Sequence, residues 1–116
     1  MVSNRRYKLE GVRDIAKITK GQKISYVTDV SISDENIKKI IEFVSDSDTL
    51  YCEAYFMGKD RDRALERFHL TANITGRIAR EAGVKHLAVM HFSPKYRNDT
   101  DSPEDEAMRE FRHSAF

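Results

Sequence analysis

Two stretches of this chain, TLYCEAYF at 49–56 and HLAVMHF at 86–92, read as strands that are apolar on both sides. A strand with one wet face shows a polar residue at every second position, so near-continuous apolar runs predict a sheet covered on both faces. A chain of 116 residues has little material for two covering layers. That mismatch constrains the fold more than any other feature of the sequence.

The remaining elements follow from periodicity and caps. KISYVTDV at 23–30 places Ile24, Tyr26 and Val30 among β-branched neighbours and predicts a strand. SDENIKKIIEFVSD at 33–46 spaces Ile37, Ile40, Ile41 and Val44 as a helix does, with Ser33 as N-cap and acids in the first turn. MGKDRDRALERF predicts a short helix with Ala64, Leu65 and Phe68 on one side. Thr71 caps a further helix, ANITGRIAREA, whose inner face is Ile74, Ile78, Ala79 and Ala82 and whose end is Gly83. Ser102-Pro103-Glu104-Asp105 starts a last helix burying Ala107, Met108 and Phe111. Strand–helix–strand–helix–strand predicts an α/β fold with mostly parallel strands joined by right-handed crossovers. The two crossover helices cover one face. The N-terminal segment is too polar, and the last helix too short, to cover the other. The expectation is half of a two-layered structure.

Composition narrows the setting. No apolar run approaches the ~20 residues that span a bilayer, and the N-terminus lacks the apolar stretch of a secretory signal. The single cysteine, Cys52, excludes an internal disulfide framework and a multi-cysteine zinc finger, and predicts a reducing, cytoplasmic protein. The net charge of +1 names no partner. Charge is uneven, however: residues 1–23 carry Arg5, Arg6, Lys8, Arg13, Lys17, Lys20 and Lys23 against Glu10 and Asp14, whereas 99–110 is acidic. The division read from this is a basic leading segment at 1–22, a motif-bearing region at 23–97, and an acidic linker with terminal helix at 98–116. The basic segment is either a solvated surface or an arm that holds phosphates.

Ligands gather at the carboxyl ends of strands in open parallel sheets. Asp29, Glu53 and His91 fall at or near such ends. Singly, Asp29 fits a turn residue, and His91 fits a satisfied core histidine. Glu53 within an apolar strand needs partners, because an unpaired buried carboxylate is costly. Together the three make an acid and imidazole cluster suited to a divalent metal. His69, just before the Thr71 helix, either joins that rim as an acid–base group oriented by a carboxylate or is a surface loop residue. His86 and His113 read as structural or exposed. Cys52 faces away from Glu53, into packing.

Taken in order, YVTD (26–29), YCEAYF (51–56), RFHLTA (67–72) and VMHFSPKY (89–96) resemble the C-terminal half of metallo-β-lactamase-fold hydrolases, most closely the ribonuclease Z-like group. The resemblance implies half of an αββα sandwich and a site with two zinc ions. Asp29 would be the bridging ligand and His91 a second zinc ligand. Glu53 and His69 would form an orienting pair, with His69 protonating the leaving oxygen of a phosphodiester, and tRNA 3′-processing would be the family reaction. The chain departs from the family pattern at Thr28, Val30, Cys52, Tyr55, Leu70, Met90 and Lys95, and the tRNA-binding arm is not recognisable. It also lacks a His-x-His-x-Asp-His segment, the source of most zinc ligands. The expected protein is thus inactive alone, completed by the missing N-terminal half or by a second copy as a homo-oligomer, with RNA or another phosphodiester as substrate and no membrane partner. The alternatives are a non-catalytic, self-associating or RNA-binding fragment, and hydrolysis of another ester on the same fold.

Overall fold

The computed structural model describes the backbone at 3–9, 12–19 and 23–113, and side chains at 23–113. The alternating strand and helix signals all materialise: β3 (Lys23–Val30), α1 (Asp34–Val44), β4 (Thr49–Glu53), α2 (Arg61–Arg67), α3 (Ala72–Ala82), β5 (His86–Met90) and α4 (Pro103–Arg112). β3, β4 and β5 pair in parallel. The α/β reading therefore holds.

The region read as a basic leading segment carries two more strands, β1 (Ser3–Leu9) and β2 (Val12–Thr19). They extend the sheet as an antiparallel meander, in the order β1-β2-β3-β4-β5. β2 is paired on both sides by its sequence neighbours, and against β3 its register sets Ile18 opposite Ile24 and Ala16 opposite Tyr26. The basic side chains of this segment, and Lys20 altogether, lie outside the described residues.

Both doubly apolar strands are shorter than their apolar runs. β4 ends at Glu53 and β5 at Met90. Beyond them Tyr55 and Phe92 belong to loops, so the apolar signal overran the sheet there. The loops stay tied: the Ala54 N–H donates to Met90 O at 3.0 Å, and the Ser93 N–H to Tyr55 O at 3.0 Å. In α2 only Ala64 is buried, whereas Leu65 and Phe68 are exposed, because the helix is a short surface helix of about two turns that ends with Phe68 in a left-handed conformation.

The caps are largely as read. The Ser33 hydroxyl accepts from the Asn36 N–H at 3.1 Å, and the Ser102 hydroxyl accepts from the Asp105 N–H at 3.0 Å. Gly83 closes α3 at φ +71°. Thr71 occupies the cap position of α3, but its hydroxyl turns to Asn73 Oδ1 at 2.6 Å and leaves the helix N–H groups alone. Ile74, Ile78, Ala79 and Ala82 are buried as expected, and α4 buries Ala107 with Met108 and Phe111 packed against the core.

One sheet face, with Ser25, Val27, Leu50 and Cys52, is fully buried. The opposite face, carrying Ile24, Tyr26, Thr28, Tyr51, Ala88 and Met90, is only half-buried. Tyr26 and Tyr51 stack on it with ring centroids 4.7 Å apart. Among the described residues, then, the second layer demanded by the apolar strands is absent. No helix among them is long and apolar enough to cross a membrane.

α4 seats on α3 at Gly76, and Arg80 reinforces the contact with an ion pair to Glu110 at 2.9 Å. A Cβ at Gly76 would meet the Ala107 carbonyl oxygen, come within 2.7 Å of Glu110 Cβ, and lie 3.0 Å from Phe111 N. Two of these three atoms are backbone and cannot swing aside. Gly76→Ala is therefore expected to lower stability by roughly 1–3 kcal/mol through overpacking, despite the better helix propensity of alanine. Urea denaturation checks this, and an unchanged midpoint would refute the close seat.

Candidate acid–base and metal site

Glu53 ends β4, where its strand neighbour Cys52 points into the helical layer, so its own side chain turns to the other side of the sheet. It is completely buried. A buried carboxylate must have its lone pairs filled, and here three N–H groups fill them. Oε1 accepts from the Asp29 main-chain N–H at 2.7 Å. Oε2 accepts from the Leu70 N–H at 2.8 Å and lies 3.1 Å from His69 Nδ1.

These donors come from two separate places. Asp29 lies at the carboxyl end of β3 and holds φ +53°, a left-handed conformation uncommon outside glycine. His69 and Leu70 lie in the turn between α2 and α3, where the His69 N–H closes on Ala64 O at 3.0 Å. The His69 ring stacks on Tyr55 at 4.4 Å and meets the edge of Phe56 at 5.9 Å. With Nδ1 donating to Glu53, the neutral ring has Nε2 as its free nitrogen, and the protonated ring has an Nε2 proton to give.

The sequence-derived residues thus divide. Asp29, Glu53 and His69 converge, each offering a ligand atom within 4.8 Å of the others. His91 lies outside that group, exposed in the residue after β5, again in a left-handed conformation at φ +59°. Asp29 and His91 therefore occupy the ends of the two strands that flank β4. Cys52 packs in the core beside the Thr75 hydroxyl at 3.8 Å, and burial pushes its thiol up to about 12, far from thiolate chemistry.

Zinc can be tested against these donors directly. A catalytic zinc takes three protein ligands. Both Glu53 oxygens are committed to N–H groups and His69 Nδ1 is committed to Glu53, so the converging trio is a hydrogen-bonded unit and not a closed ligand set. Besides the His69 Nε2, the Asp29 carboxylate and the His91 imidazole remain as donors at the strand ends. The described residues do not fit a complete zinc centre.

Two features escaped the sequence. Tyr55 stands next to nothing in sequence that marks it as a platform for His69. Tyr96 is buried, donates its hydroxyl proton to Asp60 and accepts the Met57 N–H at 2.9 Å, pinning the loop after β5 to the loop after β4. Burial first, and then the Asp60 carboxylate, push the Tyr96 phenol up to about 12. The Tyr96 hydroxyl, helped by Lys95, holds the Asp60 carboxyl below its usual range against the opposing effect of burial.

Comparison with known proteins places this geometry in context. No family model matches the chain. Ribonuclease Z of Streptomyces coelicolor is 36% identical over 83 residues, covering 72% of this chain and 26% of that protein. Ribonuclease Z of Streptomyces avermitilis is 35% identical over 96 residues, or 83% and 30% of the two chains. The chain thus spans less than a third of the length of these curated relatives. Among solved structures, the metallo-β-lactamase fold protein YhfI of Bacillus subtilis superposes with a TM-score of 0.67 at 24% identity, over 95% of this chain and 41% of that one. The short form of human tRNase Z gives 0.61 at 24% identity, over 83% and 38%. The fold is that of part of a metallo-β-lactamase-fold domain.

Two outcomes test the site's construction. Glu53→Gln offers one acceptor oxygen and one amide nitrogen to three N–H groups, so at least one buried donor is orphaned. A loss of about 1–3 kcal/mol is expected in chemical denaturation, and a neutral result would overturn the three-donor arrangement. For Tyr96, the unfolded phenol ionises near 10 and the folded one at about 12. Its contribution is therefore intact below pH 10 and lost as pH rises towards 12. Stability measured across that window should fall more steeply in the wild type than in Tyr96→Phe.

Proposed function

We propose that this chain, which is ribonuclease Z-like in sequence and metallo-β-lactamase-like in fold, supplies the proton-donating part of a phosphodiesterase site acting on RNA. The supporting observation is the His69 ring: held at Nδ1 by a fully buried carboxylate, stacked on Tyr55, and one-fifth exposed. A protonated imidazole in that setting gives its Nε2 proton to the departing oxygen as the P–O bond breaks. The Glu53 carboxylate stabilises the cation before transfer and holds the ring in place afterwards. General acid help of this kind contributes typically ~10²–10⁴-fold in rate.

Asp29 and His91 enter the proposal as zinc ligands. Two donors fall short of a catalytic centre, so in this reading the other ligands stand on the part of such a domain that this chain does not span, and the chain alone is inactive. The same part would cover the half-buried sheet face around Tyr26 and Tyr51. A precursor tRNA is the first substrate to try, because the human structural neighbour is a tRNase Z. The setting proposed is cytoplasmic. That half-buried face also favours a second reading, a self-associating RNA-binding module with no chemistry of its own.

A chimera separates these readings: residues 23–97 replace the matching stretch of the Streptomyces coelicolor ribonuclease Z. Zinc content and hydrolysis of bis-p-nitrophenyl phosphate and precursor tRNA are then measured. The chimera is expected to bind zinc and cleave. His69→Asn keeps an amide donor for Glu53 and should retain zinc while losing about 10²–10⁴-fold in precursor cleavage. A folded, zinc-loaded chimera that cleaves neither substrate, or one indifferent to His69→Asn, would overturn the proposal. RNA binding without cleavage would favour the module.

A further inference from the structure

We infer that the cleft beyond the end of β5 is a subsite for one nucleobase of the RNA strand, selecting bases that carry an exocyclic amino group. This rests on the reading of RNA as the substrate. The cleft has a volume of about 300 Å³ and is lined by Phe92, Ser93 and Tyr96 on one side and by Arg97, Asp99 and the start of α4 with Glu104 on the other. That is the lower end of the size range for ligand pockets, a scale set by one small planar group.

The lining is chemically mixed in a specific way. Phe92 is 43% exposed, one of three large apolar side chains so exposed among the described residues. An aromatic ring open at a cleft wall is a stacking platform, and every base has a face to stack. Glu104 and Asp99, the latter paired at one oxygen with Lys59 at 3.4 Å, accept hydrogen bonds only, so a ligand between them must bring donors. Cytosine offers its N4 amino group to carboxylates of this kind, while uracil presents a carbonyl oxygen at the same place. Arg97, without an ion pair among the described residues, can hold a flanking phosphate or lie over the base. With Lys59 paired to Asp99, the Glu104 carboxylate at the cleft opposes entry of the phosphate itself.

The cleft is wired to the proton donor. Its wall begins at Phe92, directly after His91. The Ser93 N–H donates to Tyr55 O at 3.0 Å, and the Tyr55 ring carries His69 at 4.4 Å. One residue therefore joins the base-binding wall to the acid, and the proposal places a base neighbouring the scissile phosphodiester at Phe92. Tyr96, anchored through Asp60 and Met57, makes the floor rigid.

The test compares fluorescently labelled cytidine and uridine RNA hexamers, whose bases stack alike, by anisotropy with the full chain. Binding of the cytidine hexamer at least about fivefold tighter is expected from one amino-specific contact. Phe92→Ala should weaken both hexamers by about fivefold or more, and Asp99→Asn combined with Glu104→Gln should bring the ratio near one. All three positions are exposed, and circular dichroism confirms folding. Equal affinity for the two hexamers, or no effect of Phe92→Ala, overturns the subsite. If RNA is nevertheless bound with steep salt dependence, the substrate reading stands without it. If neither hexamer binds and the chimera fails on precursor tRNA, both fall.

Discussion

The Glu53 carboxylate is the point through which the rest of the site is held. Removing a charged carboxylate from water costs several kcal/mol even after relaxation, and only charge-assisted hydrogen bonds of good geometry offset it. Its three donors come from the end of β3 and from the turn before α3, and its own carbonyl oxygen accepts from the Thr75 hydroxyl inside α3. A strand end, a turn and a helix are therefore fixed to one another by a single residue. The left-handed backbone at Asp29 belongs to the same arrangement. Such a conformation survives where the surroundings over-determine it, and the hydrogen bond from the Asp29 N–H to Glu53 is one such determinant.

Much of this was legible before any coordinates. Ser33, Gly83 and Ser102-Pro103 mark helix boundaries by local chemistry, and local chemistry is what a sequence displays directly. The positions of Asp29, Glu53 and His69 were readable for a different reason: a polar residue in or next to an apolar strand is an anomaly that needs a partner. β1 and β2 were not legible, because residues such as Arg5, Arg6 and Lys8 mask the strand pattern, and the strands are defined by pairing with one another and with β3. Strand ends at 53 and 90 were overrun because Tyr55 and Phe92 are apolar for reasons other than the sheet. Tyr55 carries an imidazole and Phe92 lines a cleft.

The sheet also explains why the two proposed zinc ligands sit apart. Adjacent strands lie about 4.8 Å from one another, and β4 stands between β3 and β5. Asp29 and His91 are thus offered from the two sides of Glu53, both with left-handed backbones. The carboxylate in the middle is spent on the scaffold, and the proposed zinc ligands are the groups on its flanks. Fixing and binding are divided among neighbouring strand ends.

The seat of α4 on Gly76 reaches further than helix packing. Glu104 precedes Ala107 by three residues, about 4.5 Å along the same rigid rod, so any lift of α4 at Gly76 travels undiminished to the mouth of the cleft. The absence of one methyl group on α3 thereby sets the gap between Phe92 and Glu104. Tolerance in that gap is governed from behind α4, by a residue that does not line the cleft.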